Sequence, residues 1–261
     1  MQPLPLNLAR LTPEHVAFRD TVRRFVEREL EPHVAGWDEA GGFPRDLYPC
    51  AAAAGLFGLR LPEEFGGVPE ADFVHTLVSC IELAQCGSGG VLASLMSHSI
   101  AAPPIAALGS PDLQRRTLPR ILSGEWIAAL AITEPSGGSD VAALQTTARR
   151  DGDYYVVNGE KTFISNAPIA DVIMLTATTG PQEFTMFLVD PREHRIETRE
   201  IAKLGLKSWS LGQIHFTDTW ISDEYVIGGV GAGLRETMKG FERARIFIAL
   251  LALGIAQAAL D

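Results

Sequence analysis

The amino-acid sequence predicts an α+β fold: a helical first third, an antiparallel β-region in the middle and a long helix at the end. Three observations carry this. Apolar residues recur near a 3.6-residue period up to about residue 123. From about Glu125 the pattern shifts to period two and to β-branched side chains, and after Gly228-Gly229-Val230-Gly231-Ala232-Gly233 a helical stripe resumes.

In the first third, Thr12 reads as an N-cap with Pro13 at the first helical position. Val16, Phe18, Val22, Phe25, Val26 and Leu30 then supply one apolar face, ended or bent by Pro32. A second helix follows FPRDLYPCAAAAGLFG, and a turn-rich LPEEFGGVPEAD follows that. Further helices are expected over Phe73 to Gln85, Gly90 to Leu108 and Leu113 to Leu122. In the middle, the apolar run Trp126 to Ala131 reads as a strand. Asp151-Gly152 and Asn158-Gly159 are short-turn dipeptides flanking a strand at Tyr154 to Val157. More strands are expected at Val172 to Thr176, Phe184 to Val189, Arg195 to Glu200 and Gln213 to Phe216, together forming an antiparallel barrel or sandwich. From Leu234 a single helix runs to the end of the chain.

Composition narrows the function classes. With 261 residues, 46% hydrophobic and 21% charged, the chain can bury a substantial core, and its length predicts two domains; a formal charge of −10 argues against a nucleic-acid surface. Residues MQPLPLNLAR lack the pattern of a secretory signal. The uncharged stretch Ile246 to Leu260 is shorter than the ~20 residues of a bilayer crossing and reads as a buried core helix. Cys50, Cys80 and Cys86 form no CxxC pair and read as buried thiols, in keeping with a cytoplasmic protein. Six histidines show no metal-ligand spacing, so no metal is expected, and His98 in its apolar helix reads as a core histidine.

Three segments have the residue types of a binding site. ITEPSGGSD (132–140) leaves the apolar strand carrying Thr133, Gly138 and Ser139; glycines allow close approach of backbone N–H groups to a ligand, although an ordinary Gly-rich turn has the same composition. It matches neither GxGxxG nor GxxxxGK[ST]. In Lys161-Thr162-Phe163-Ile164-Ser165-Asn166, an aromatic and a hydroxyl two apart on a strand share a side, which suits a flat heterocycle or equally a Phe packed into the core. On the last helix Phe241 and Arg245 are four apart, fit to grip an anionic or carbonyl group, with a solvated pair of Glu242 with Arg243 or Arg245 as the alternative.

Taken in order, LPEEFGG, ITEPSGGSD, NGEKTFISNA, KLGLKSWSLGQIHFTD and GAGLRETMKGFERAR…ALGIAQAALD resemble the acyl-CoA dehydrogenase family over nearly the whole chain. The resemblance implies an N-terminal helical domain (1–123), a middle β-barrel domain (124–233) and the first helix of a C-terminal helical bundle (234–261). It implies FAD bound by Leu130, Ile132, Thr133, Gly138, Ser139, Phe163 and Ser165, and an acyl-CoA substrate beside Ser139, Phe241, Glu242 and Arg245. The implied reaction is α,β-dehydrogenation of the thioester, with an electron-transfer flavoprotein as acceptor and a homo- or hetero-oligomeric assembly.

This sequence also departs from the family pattern. Most of the bundle that normally carries the general base would follow Asp261. Some members place a catalytic Glu on the present helix, but the matching position here is Ala244, and Glu242 projects about 200° further round. No base is therefore assigned; it belongs to a downstream region or a second subunit, and a non-catalytic subunit or a relative with oxidase or hydroxylase chemistry are the alternatives. In KSWSLG, Trp209 and Leu211 occupy the usual Ser and Thr positions, so the indole either reshapes the substrate channel or packs as a surface aromatic.

Overall fold

The computed structural model describes residues 11–260, apart from the side chain of Arg243. The reading of residues 1–10 as lacking a signal lies outside the described residues. Helix α1 (Pro13–Phe25) starts as its sequence requires: Thr12 Oγ1 accepts the His15 N–H at 3.3 Å and the His15 ring accepts the Thr12 N–H at 3.1 Å. Val22, Phe25, Val26 and Leu30 are buried along its inner face, and the chain passes through one π-helical turn (Val26–Leu30) before Pro32 ends it. An unexpected short helix, α2 (Val34–Ala40), stops at Gly41, whose φ of 78° suits glycine. Then come α3 (Leu47–Ala53), α4 (Phe73–Ala84), α5 (Gly89–Leu108) and α6 (Pro111–Leu122).

Helix α5 joins the two cores. Its Val91, Leu92 and Leu95 pack with Val22, Phe25 and Leu30 of the helical part, while Ala101, Ala102 and Ile105 pack with the sheet. A helix buried this way is apolar all round and shows no single stripe. His98, fully buried in α5, accepts the Ala128 N–H on Nδ1 (3.1 Å) and donates from Nε2 to the Ile121 carbonyl (2.8 Å), so it is a satisfied core histidine. Burial lowers its pKa to about 4. Between about 6.5, the ordinary value, and about 4 the unfolded chain takes up a proton that the folded chain refuses, so stability falls as pH drops through that window. A loss of about 2 kcal/mol is expected between about pH 6.5 and 5 in urea unfolding. In His98→Gln, which keeps a donor and an acceptor, the dependence flattens; an equally steep dependence in that variant would refute the assignment.

The middle region is one sheet of eight strands, β1 (Ala128–Ala131), β2 (Thr147–Asp151), β3 (Tyr154–Ser165), β4 (Val172–Gly180), β5 (Glu183–Val189), β6 (Ile196–Glu200), β7 (Leu211–Ser222) and β8 (Val226–Ile227). Its order is β6-β7-β3-β2-β4-β5-β8, with β1 pairing off this path with β4. The barrel expectation is corrected, because the end strands β6 and β8 are not paired and the sheet stays open. It is not wholly antiparallel either: β1 runs parallel to β4, the crossover being made by β2 and β3. Asp151-Gly152 does turn the chain, but Asn158-Gly159 does not. There β3 continues along β7, with Val157 opposite Thr219 and Gly159 opposite Phe216, and the dipeptide forms a bulge. Gly159 has φ 147°, and a Cβ on it would meet Thr146 Oγ1 at 2.6 Å.

Two burial expectations also change. Cys80 and Cys86 are buried, their thiols pushed up by desolvation to about 12 and about 11, whereas Cys50 is exposed on α3; all three are free. Helix α7 (Gly233–Leu260) is not the buried core helix its composition suggested: Ile246 (41%), Ile248 (63%) and Leu253 (46%) face outward. Its inner face packs on α4 so closely that a Cβ on Gly254 would lie 2.2 Å from Ala84 Cβ. Both α5 and α7 reach the length and apolarity of a membrane crossing, longer than the stretch Ile246 to Leu260 suggested; α5 is partly buried in the core, as above.

Candidate functional site

Strand β1 ends in a tight turn in which the Glu134 and Gly137 backbones exchange hydrogen bonds (3.2 and 3.0 Å). This turn is anchored from inside. Glu134, 4% exposed, accepts from Lys161 Nζ (2.8 Å) and from the N–H groups of Gln145 (2.6 Å) and Thr146 (2.9 Å). Lys161, fully buried, also donates to the Ile132 carbonyl at 3.0 Å. Burial pushes Lys161 down to about 8 against the pull of Glu134. Burial pushes Glu134 up, but the Lys161 ammonium and the backbone donors outweigh it and hold the carboxylate below its ordinary range.

The same anchoring brings two of the sequence-selected segments together. The Thr162 N–H donates to the Thr133 carbonyl at 2.8 Å, so Phe163 follows directly on a rung bonded to the end of β1. Phe163 is 62% exposed and has φ 57°, which excludes the core-packing alternative; a bulky residue held in that conformation marks a site where local strain is maintained by its surroundings. The register shifts between Lys161 and Ile164, so the simple two-residue alternation that placed Phe163 and Ser165 on one side does not apply there. Ser165 is half-buried. Gly138 folds back on Thr133, where a Cβ would stand 3.0 Å from Thr133 Cγ2, and Ser139 is exposed beside it. Leu130 is partly buried against the sheet core and the Ile132 side chain is buried, its carbonyl engaged by Lys161.

The third segment lies elsewhere. A partly open cavity of about 480 Å³ is lined by the loop after α3, by α4, α5, α6 and the first half of α7. From α7 it takes Glu236, Lys239, Gly240 and Phe247. Phe241, Glu242 and Arg245 are not among its lining residues; Glu242 and Arg245 are exposed and Phe241 is half-buried. In the loop that departs from the resemblance, Trp209 is half-buried with its indole Nε1 enclosed and without a hydrogen-bond partner among the described residues, and Leu211 is buried in β7.

The sequence reading missed the structural roles of several residues of this region, Asn166 being quoted there only as the end of a candidate segment. Asn166, fully buried with φ 65°, accepts from the Tyr48 hydroxyl (3.1 Å) and donates to the carbonyls of Ser94 (2.9 Å) and Ala128 (3.3 Å), tying α3, α5 and β1 together. The only available signal was an Asn where a strand ends. Histidine spacing also gave no hint that His15 and His75 meet at Asp72, at 3.0 and 2.9 Å. Their Nδ1 atoms accept the N–H groups of the N-cap residues Thr12 and Asp72, so each ring closes a capping box at a helix start.

Residues 12–125 match the family described as acyl-CoA dehydrogenase, N-terminal domain, and residues 129–219 match acyl-CoA dehydrogenase, middle domain. A 3-(aryl)acrylate reductase of Clostridium sporogenes is 34% identical over 96% of this chain and 67% of its own length. The crystal structure of an acyl-CoA dehydrogenase from Geobacillus kaustophilus is similar at a TM-score of 0.89 and 33% identity, covering 95% of this chain and 67% of that one. A glutaryl-CoA dehydrogenase from Mycobacterium smegmatis, solved in complex with FADH2, is similar at a TM-score of 0.91 and 28% identity, over 99% and 67%. The chain thus spans about two thirds of the length of these relatives, and on its sequence, fold and matched domains it belongs to the acyl-CoA dehydrogenase family.

Proposed function

We propose that this chain forms the FAD- and acyl-CoA-binding part of an enzyme that dehydrogenates an acyl-CoA thioester across its α and β carbons. The observation that carries the reading is the 2.8 Å bond from the Thr162 N–H to the Thr133 carbonyl, which sets an exposed aromatic beside an exposed Gly-Ser turn. These residues fit a flavin: the turn is exposed at Gly137-Gly138-Ser139, with nothing within 4 Å of the Cβ position of Gly137, Phe163 offers a stacking face, and the hydroxyls of Thr133, Ser139 and Ser165 offer polar contacts, with Leu130 and Ile132 backing them. Bound FAD would accept the β hydride. Phe241, Glu242 and Arg245 hold the thioester and pantetheine side of α7, Ser139 reaching the substrate from the turn. The helical, sheet and terminal-helix divisions at 123/124 and 233/234 go with this reading.

No base is assigned. Ala244 stands where a helix-borne Glu would act, so proton removal falls to a group outside this chain's described residues. That substitution also favours the second reading, a subunit that binds but does not react, in a split complex. The outward apolar face of α7 supports an assembly in which further helices or a partner chain cover it. An electron-transfer flavoprotein as acceptor and a cytoplasmic location complete the proposal, with no membrane span because the apolar faces of α5 and α7 serve packing. Titrating the purified chain with FAD, followed by flavin fluorescence quenching, tests it: saturable binding is expected, weakened about tenfold by Phe163→Ala. Failure of the wild-type chain to bind FAD, or equal affinity in the variant, would refute the placement.

A further inference from the structure

Two helix starts that are distant in the chain meet at three side chains able to hold a metal ion. His15 stands at the third position of α1, and Asp72 and His75 are the N-cap and third position of α4; 57 residues separate His15 from Asp72. His15 Nε2 lies 3.0 Å from Asp72 Oδ1 and 3.1 Å from Asp72 Oδ2, and His75 Nδ1 lies 2.9 Å from Asp72 Oδ1. The two rings stand edge to face with centroids 4.4 Å apart, and Phe18 lies against His75 at 5.5 Å. His15 is buried, the His75 side chain is 13% exposed and Asp72 faces solvent, so the cluster has packed walls and one open side. Histidine spacing predicts no metal here because the set is assembled only by folding.

Hydrogen bonding leaves one of these contacts unmet. Each Nδ1 accepts a backbone N–H, from Thr12 and from Asp72, and so carries no proton. In His15 the proton is then on Nε2 and is donated to Asp72, but in His75 the Nδ1 lone pair meets a carboxylate oxygen at 2.9 Å, acceptor against acceptor. A proton on that nitrogen would serve the carboxylate and set N–H against the Asp72 N–H instead. A cation bound between His75 Nδ1 and Asp72 Oδ1 turns the repulsion into attraction. We propose that His15, Asp72 and His75 bind a divalent transition-metal ion of the zinc class, bracing the start of α1 against the start of α4. Two imidazole nitrogens and a carboxylate suit zinc, cobalt or nickel rather than calcium or magnesium, which take oxygen ligands. Bonds of about 2.0 Å place tetrahedral ligand atoms about 3.3 Å apart, a few tenths beyond the separations found here, and water from the open side completes the four. Binding at His15 Nε2 moves its ring proton to Nδ1 and gives up the bond from Thr12. Thr12 and Asp72 are both exposed, so water takes over their N–H groups. The site is independent of the flavin and acyl-CoA reading.

Calorimetric titration of the chelator-treated chain with zinc chloride, beside an optical titration with cobalt chloride, tests this. One ion per chain is expected, with visible bands of nitrogen-ligated cobalt and a higher unfolding temperature in zinc. His15→Gln and His75→Gln keep a residue suited to the third position of a capping box, and Asp72→Asn keeps an N-cap, so each removes a ligand while the helix starts stay capped. Zinc affinity is expected to fall at least about tenfold in each variant, and the rise in unfolding temperature to disappear. The cobalt spectrum of the wild type reads the imidazole ligands without any variant. Absence of saturable binding by the wild-type chain overturns the proposal. So does undiminished affinity in the three variants, which would put the ion at the exposed Cys50 or another histidine.

Discussion

Glu134→Leu is expected to destabilise the chain by about 3–5 kcal/mol in urea unfolding at neutral pH. The carboxylate satisfies three donors at once: Lys161 Nζ and the N–H groups of Gln145 and Thr146. Leucine of similar volume satisfies none of them and leaves an ammonium enclosed in the sheet with only the Ile132 carbonyl. Lys161→Met should cost less, because Glu134 keeps both backbone donors. Adding Lys161→Met to Glu134→Leu should then recover stability, since the orphaned charge goes with it. A cost below about 1 kcal/mol for Glu134→Leu, or further loss in the double variant, would show that the pair does not hold this turn. The consequence reaches the proposed flavin site, because Glu134 and Lys161 fix the carbonyls and turn from which Thr133, Gly138 and Ser139 are displayed. FAD affinity is expected to fall together with stability in Glu134→Leu.

That pair shows what could be read from the sequence and what could not. Helix starts were legible where they are local: Thr12 before Pro13 names its own cap. The site segments were legible as an ordered set whose composition resembled a family. Long-range pairing was not. Glu134 read as one more turn acid and Lys161 as part of a strand, because nothing in a sequence says that two residues 27 apart become a buried ion pair. Asn158-Gly159 has the local signature of a turn, and only the continued pairing with β7 makes it a bulge. On α7 the apolar residues surround the helix, so periodicity could not tell which of them would be covered within this chain.

Asn166→Asp tests the joint between the helical part and the sheet with almost no change in shape. Asparagine and aspartate both tolerate the left-handed conformation observed at φ 65°, so backbone strain is not the difference. The difference is the amide Nδ2, which donates to the Ser94 and Ala128 carbonyls at 2.9 and 3.3 Å. In aspartate an ionised oxygen would face those two acceptors in a fully buried place. The Tyr48 hydroxyl, whose pKa burial raises, remains a donor to the other oxygen. A cost of about 3 kcal/mol is expected at neutral pH. The new carboxyl should therefore be pushed above its ordinary value of about 3.9, and the folded variant should hold a proton that its unfolded chain has released. The stability difference between wild type and Asn166→Asp must then shrink as pH falls toward about 4, at up to about 1.4 kcal/mol per pH unit. The acid loss arising from His98 is common to both proteins and cancels in that difference. A gap that stays constant or widens with acid would mean that the carboxylate has escaped to water, and that Asn166 does not close the joint between Tyr48, Ser94 and the first strand.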